Sequence, residues 1–207
     1  MANKIYTIGR EFGSGGREVG EKLAAKLGIK LYDKELLQQA AKDSGFCEEI
    51  FENHDEKPTN SFLYSLVMDT YSVSGYSAAP FLDMPLNHKV FLAQFETIKK
   101  IAEKESCVIV GRCADYALSD NPNCINVFIH ADLRIKNVSR NLNITENKAR
   151  DIINKTDKQR ASYYNYYTSK KWGDSKSYNL SLDAGKLGTD NCVEMILKFR
   201  ELMDTMK

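Results

Sequence analysis

The sequence predicts an α/β fold: a three-layer α/β/α domain built on a mostly parallel sheet. Three observations carry that prediction. The chain opens as strand, glycine loop and helix over residues 4–28. Two later runs, Cys107–Gly111 and Ile125–Ile129, are almost wholly apolar, as strands covered on both faces of a parallel sheet must be. Strand and helix patterns then alternate to the end of the chain. A length of 207 residues suffices for one domain with a sizeable core, or one domain carrying a small insert.

Each element has its own warrant. Ile5, Tyr6, Thr7 and Ile8 give the first segment its strand propensity. After Gly16, the residues Val19, Leu23, Ala24 and Leu27 recur at helical spacing, and Gly28 supplies a stop. The short run Ile29–Tyr32 leads to Asp33, an expected N-cap for a helix carrying Leu36, Leu37, Ala40 and Ala41. From Cys47 to about Met84 the pattern blurs, and one or two helices followed by a mobile loop are expected. A helix resumes near His88 and runs to about Glu105, with Val90, Phe91, Ile98 and Ile101 on its apolar stripe. Cys107–Gly111 and Ile125–Ile129 are strands, and a helix follows from Asp132 to Leu142. Thr145 can cap a long helix reaching about Tyr167. Tyr178–Leu182 reads as the last strand and Cys192–Met206 as a closing amphipathic helix.

Composition excludes several classes of function. Lys and Arg number 29 against 28 Asp and Glu, so nothing favours a mainly electrostatic partnership with nucleic acid or an acidic membrane. No stretch approaches the ~18 apolar residues that a membrane helix needs. The five cysteines form no C-x-x-C pair and stand apart from His54, His88 and His130, which argues against zinc. An odd count without a secretory leader points to reduced thiols and a cytoplasmic protein. The histidines show no pairing that would suggest a nucleophilic triad.

The segment Gly9-Arg-Glu-Phe-Gly13-Ser14-Gly15-Gly16-Arg17-Glu18 is the most informative. A glycine loop between strand and helix lets backbone N–H groups converge on an anion, and the helix N-terminus adds partial positive charge. Against the phosphate-loop pattern G-x-x-x-x-G-K-[ST], Gly16-Arg17 stands where Gly-Lys is expected. Glu11 replaces the first Gly, and Glu18 replaces the hydroxyl residue that normally ligates magnesium. A bare glycine turn without a ligand is the bland alternative. Gly9-x-x-x-Gly13-x-Gly15 is also the glycine spacing of short-chain dehydrogenases, with Tyr166-x-x-x-Lys170 as their Tyr–Lys spacing. That alternative needs further strands between residues 34 and 106, where the pattern is helical and irregular.

Several pieces together carry a family resemblance. Ile8-Gly-Arg10-Glu-Phe12-Gly-Ser-Gly-Gly-Arg17 resembles the opening of the cytidylate kinase-like family. Tyr32-Asp33-Lys-Glu-Leu-Leu is similar to that family's segment after the second strand, and Val108-Ile-Val-Gly111-Arg112 to its strand-end Gly-Arg. Asp157-x-x-Arg160, Tyr163-Tyr164 and Trp172-Gly173-Asp174 resemble its lid, and Tyr178–Asp183 its last strand. The resemblance implies a P-loop kinase fold with a helical substrate-binding insert over about 34–87 and a helical lid over about 145–176. It also implies ATP as donor, magnesium, and a nucleoside monophosphate such as CMP as acceptor.

Phosphoryl transfer asks mainly for positioning and charge, which singles out particular residues. Gly13, Ser14, Gly15, Gly16, Arg17 and Glu18 are the expected nucleotide-binding loop, with the Arg17 side chain bridging to the transferred group. Arg112, just after the most apolar strand, is expected to take the acceptor's phosphate, with Asp33 orienting the acceptor. Arg160 is the candidate lid arginine, unless it simply pairs with Asp157 at i,i+3. Arg134 can reach the nucleotide or lie on the surface. Tyr163, Tyr164, Tyr166 and Tyr167 pack a helix or line a homodimer contact, with base stacking the less favoured reading. From a different class of function, a degenerate phosphate loop that binds nucleotide without turnover remains the alternative, and Glu18 discriminates.

Overall fold

β1 (Ile5–Arg10) is the middle strand of a five-stranded sheet, and its sequence explains why. Ile5, Tyr6, Thr7 and Ile8 are all buried, as a strand covered on both faces requires. The computed structural model describes residues 3–45, 47–57 and 85–205. Within it, β3 (Cys107–Val110) pairs parallel on one side of β1 and β4 (Cys124–His130) on the other. β2 (Lys30–Tyr32) and β5 (Leu180–Asp183) are the edges, giving the order β2-β3-β1-β4-β5, every pair parallel. Ile8 aligns with Val110, and Arg10 with Ile129, so β1, β3 and β4 end together.

The helices form the two outer layers. α1 (Gly16–Leu27) lays Val19, Leu23 and Ala24 on Val108 and Val110. The closing helix, numbered α8 (Ala184–Thr205), adds Cys192, Val193 and Ile196 to the same face. On the other face, α4 (Leu86–Lys104) and the short α5 (Ala114–Ala117) cover Ile5, Cys107 and Ile109. α2 (Lys34–Ser44) and α3 (Glu48–His54) pack on α4 through Leu37, Ala40, Phe51 and Val90. α6 (Arg134–Leu142) and α7 (Glu146–Thr168) meet through Val138, Ala149 and Ile153, with Phe12 of the glycine loop against them.

The expected elements are present, with instructive shifts. The closing helix starts eight residues early because the Asp183 carboxylate accepts from the N–H groups of Gly185 and Lys186, and it bends at Gly188. β5 begins at Leu180 because Tyr178 packs its ring on Phe128 at 5.0 Å, after a one-turn 3-10 segment. Thr145 caps α7 as expected, accepting from the Lys148 N–H. Asp33 flanks α2 but makes no cap hydrogen bond; its carboxylate is drawn to a buried guanidinium instead. The tyrosines fasten α7 to α4: Tyr163 and Tyr164 are buried, and Tyr167 stacks on Phe91 at 4.0 Å. All five cysteines are free, with Cys107 and Cys124 buried. Among the described residues no helix is long and apolar enough to cross a membrane. Most of the expected irregular stretch, residues 58–84, lies outside the described residues.

Candidate active site

The shared end of β1, β3 and β4 opens into a cleft of 1110 Å³, the place where parallel sheets gather ligands. The cleft has two arms that differ in construction. One is built from backbone, the other from paired charges.

The backbone arm is the glycine loop. Gly13 (φ 75°) and Gly15 (φ 83°) turn through the left-handed region, and a Cβ at Gly13 would fall 2.4 Å from Val138 Cγ2. Ser14 is buried beneath the loop, its Oγ 2.9 Å from the Glu11 carbonyl and 3.0 Å from that of Ile129, which ties the loop to β4. The first helical bond runs from the Val19 N–H to the Gly15 carbonyl at 2.9 Å. The Ser14 N–H turns back to the Glu11 carbonyl at 3.4 Å, whereas the amides of Gly15 to Glu18 have no carbonyl one turn back and lie at the positive end of the α1 dipole, along the cleft. Asp157 of α7 grips the front of the loop, accepting from the Phe12 N–H at 2.7 Å and from Arg134. Arg134 also donates to the Phe12 carbonyl at 3.0 Å and pairs with Glu11 at 3.3 Å. It therefore braces the loop from behind and does not line the cleft.

Two loop side chains are solvent-exposed at the rim of the cleft. Arg17 is exposed, with Nε 3.0 Å from Glu21 and 3.4 Å from Asp33. Glu18 accepts from the Thr189 hydroxyl at 2.8 Å and pairs with Lys22 at 3.0 Å. Those contacts, Lys22 first, hold its carboxyl below the usual range.

The charged arm lies under the ends of β1 and β3. Arg112 is buried, yet its guanidinium donates to Asp33, to both Asp55 oxygens at 3.1 and 2.8 Å, and to the Val110 carbonyl at 2.7 Å. Burial opposes its charge, but Asp55, Glu56 and Asp33 overcome that and hold it firmly protonated. Arg10 meets Glu56 with both terminal nitrogens, at 2.7 and 3.2 Å. Arg160 reaches the same carboxylate with Nε at 3.2 Å, and NH1 lies 3.3 Å from the Arg10 carbonyl. Burial would raise the Glu56 carboxyl, but Arg10, Arg112 and Arg160 together hold it well below the carboxylate range. Gly111, Arg112 and Cys113 have φ of 77°, 53° and 55°, three consecutive left-handed residues. Such clustered strain persists where surroundings over-determine it, commonly at functional sites.

The structure brings Gly13–Glu18, Asp33, Arg112 and Arg160 to one cleft and sets Arg134 behind the loop. The i,i+3 pair between Asp157 and Arg160 is not the contact made, since Asp157 turns to Arg134 and Arg160 to Glu56. Sequence reading missed Arg10, Asp55 and Glu56. Arg10 ends a strand as Arg112 follows one, so the same carboxyl-end logic could have found it. Asp55 and Glu56 sit in a stretch without motif, and only the fold reveals them. Tyr166 and Lys170 lie outside the cleft lining, and the described residues between 34 and 106 contain no strand. Neither fact supports the dehydrogenase alternative. Among the described residues no group of three or more His, Cys, Asp or Glu is placed to hold a metal ion.

Comparison with known proteins agrees with this geometry. The model of the cytidylate kinase-like family matches residues 5–186. An uncharacterized protein from Eubacterium ventriosum, solved by crystallography, is 36% identical with a TM-score of 0.72, covering 96% of this chain and 99% of its own. Shikimate kinase from Bacteroides thetaiotaomicron superposes with a TM-score of 0.54 at 14% identity, covering 96% of this chain and 98% of its own. Shikimate kinase from Acinetobacter baumannii, solved with shikimate, gives 0.50 at 15% identity over 100% and 97%. No curated protein matches the sequence.

Proposed function

This chain belongs to the cytidylate kinase-like family and carries out phosphoryl transfer of the P-loop kinase kind, and on that premise we propose that ATP is its donor and a nucleoside monophosphate such as CMP its acceptor. One observation carries the reading: a single cleft joins an amide-lined glycine loop to a floor of arginines at the strand ends. Such a transfer needs two phosphates held in line and their charge offset, with little covalent help.

The roles follow from position. Amides of Gly13 to Arg17, Ser14 excepted because its N–H already meets the Glu11 carbonyl, hold the donor phosphates, and Arg17, exposed and hinged at the loop, swings from Asp33 to the transferred group. Arg112 and Asp33 fix the acceptor side, and Arg160 of α7 closes over the phosphates. Residues 34–87 form the acceptor-side insert and 145–176 the lid. Arg134 serves the nucleotide at second hand, by bracing Phe12 and Asp157. Magnesium would accompany ATP as a hard cation that prefers oxygen ligands. Glu18 is the carboxylate of this chain standing where the phosphate-loop hydroxyl would be. When bound, the ion offsets charge on the phosphates. We place the activity in the cytoplasm, in keeping with five free thiols.

A second reading has one observation in its favour: Glu18 is already engaged by Lys22 and Thr189. A carboxylate so held leaves a loop that binds nucleotide without turnover. The deciding experiment measures ADP formation from ATP and magnesium with a panel of nucleoside monophosphates and small hydroxyl compounds, shikimate included. Acceptor-dependent turnover, lost in Arg17→Ala, is expected. ATP binding without turnover on any acceptor would establish the second reading.

A further inference from the structure

The Arg10–Glu56–Arg160 cluster is built like an occupied oxyanion site. Two guanidinium groups converge on one carboxylate, Arg10 through both terminal nitrogens at 2.7 and 3.2 Å and Arg160 through Nε at 3.2 Å. The Arg112 backbone N–H adds a fourth donor at 3.3 Å. A forked guanidinium meeting two oxygens is the geometry that serves carboxylate and phosphate alike. Gly111 makes the fit possible: a Cβ there would lie 2.2 Å from Arg10 NH1 and 2.4 Å from Glu56 Oε1.

Charge and backbone both mark the present occupant as a stand-in. Arg112 has two carboxylates of its own, Asp33 and Asp55. Arg10 and Arg160 share Glu56 as their one carboxylate in direct contact, with Asp157 supporting the Arg160 charge from farther off. Burial and the Arg10 charge accordingly depress the Arg160 guanidinium below its ordinary range. Glu56 also holds a left-handed backbone, φ 48°, which a residue with a long side chain adopts only when contacts enforce it. A dianion in place of the carboxylate would neutralise the pair fully.

We propose that Arg10 and Arg160 form the binding site for a phosphate-monoester dianion, and that Glu56 occupies this site as a built-in competitor until the phosphate displaces it. The identity of that phosphate as the acceptor's rests on the kinase reading; the site itself does not. The competitor lowers apparent affinity by the fraction of molecules in which the guanidinium pair is free. It also keeps two half-buried cations compensated before phosphate arrives, which a site of bare arginines would not.

The test uses methyl phosphate as probe, with calorimetric binding and thermal melts on the full chain. Glu56→Gln keeps the shape and removes the charge, so it should bind methyl phosphate about tenfold or more tightly than wild type, given removal of the internal competitor. Adding Arg10→Met to that variant should abolish the gain, which separates this site from the glycine loop. A folded Glu56→Gln protein with unchanged or weaker binding would overturn the proposal, as would a gain that survives Arg10→Met. Should Glu56→Gln fail to fold, wild-type crystals grown with methyl phosphate decide. Phosphate between Arg10 and Arg160 with the Glu56 side chain displaced supports the proposal, and phosphate at the glycine loop alone refutes it. None of these readouts requires turnover. If the acceptor panel fails while the Glu56→Gln gain appears, the kinase reading falls and the site stands.

Discussion

The two arms of the cleft solve the same problem, holding negative charge, with opposite materials. The glycine loop offers amides and a helix dipole, which need no counter-charge and leave the loop open when empty. The floor under β1 and β3 uses full guanidinium charges, and each is already met by a carboxylate: Arg112 by Asp33 and Asp55, Arg10 and Arg160 by Glu56. Partial charges can wait unpaired at a surface, whereas full charges in a buried place cannot. Backbone sites are therefore cheap to leave vacant, and arginine sites arrive with partners that a ligand must replace.

The largest consequence of that difference should appear at Arg112. It is 4% exposed and satisfies two carboxylates. Arg112→Met would strand Asp55 without its ion-pair partner and leave Asp33 only the exposed Arg17 at 3.4 Å, at a cost of about 3–5 kcal/mol. A urea titration should show the midpoint fall sharply, and Arg112→Lys should recover only part of it, since an ammonium lacks the fork. An Arg112→Met protein as stable as wild type would mean that the floor is not the charge-locked structure described here.

A smaller effect is expected from the backbone arm. Gly13→Ala places a side chain in a left-handed residue and against Val138, costing about 1–3 kcal/mol of local strain. The loop should reshape while the fold survives, so ATP affinity should fall about tenfold to a hundredfold with the melting temperature falling by about 2–12 °C. Loss of stability without loss of nucleotide affinity would place the loop's role in packing instead.

The same contrast explains what the sequence revealed. The glycine loop was legible because its chemistry is local: strand, glycines and helix are consecutive, and Gly13–Arg17 announces itself within five residues. The sheet was legible because Cys107–Val110 has no polar face to mistake. The floor was only half legible, because its partners come together from distant parts of the chain: Arg10 from β1, Asp55 and Glu56 from the residues after α3, Arg160 from α7. Asp33 shows how a local rule can lose. Its position suits a helix cap, but a buried guanidinium offers a charge-assisted bond that a neutral N–H cannot equal. Arg134 shows the converse, a cation placed near the expected site yet spent on holding Phe12 and Asp157.

The smallest effect is also the most specific to the charged arm, and it concerns acid. Glu56 has its folded-state pKa depressed below the ordinary 4.5, because the arginine charges outweigh its burial. A depressed carboxyl contributes stability that is fully present above the unfolded value and is lost as pH falls toward the folded one. One such proton should remove about 0.8 kcal/mol between about pH 7 and about pH 4, and more below that. Other carboxylates contribute to the wild-type slope, so the informative quantity is the difference from Glu56→Gln, which has no proton to take up at this position. Urea midpoints measured across that range should fall more steeply for wild type than for the variant. Parallel curves would mean that Glu56 titrates as in the unfolded chain, and the arginine pair would then lack the hold on it that separates this arm from the glycine loop.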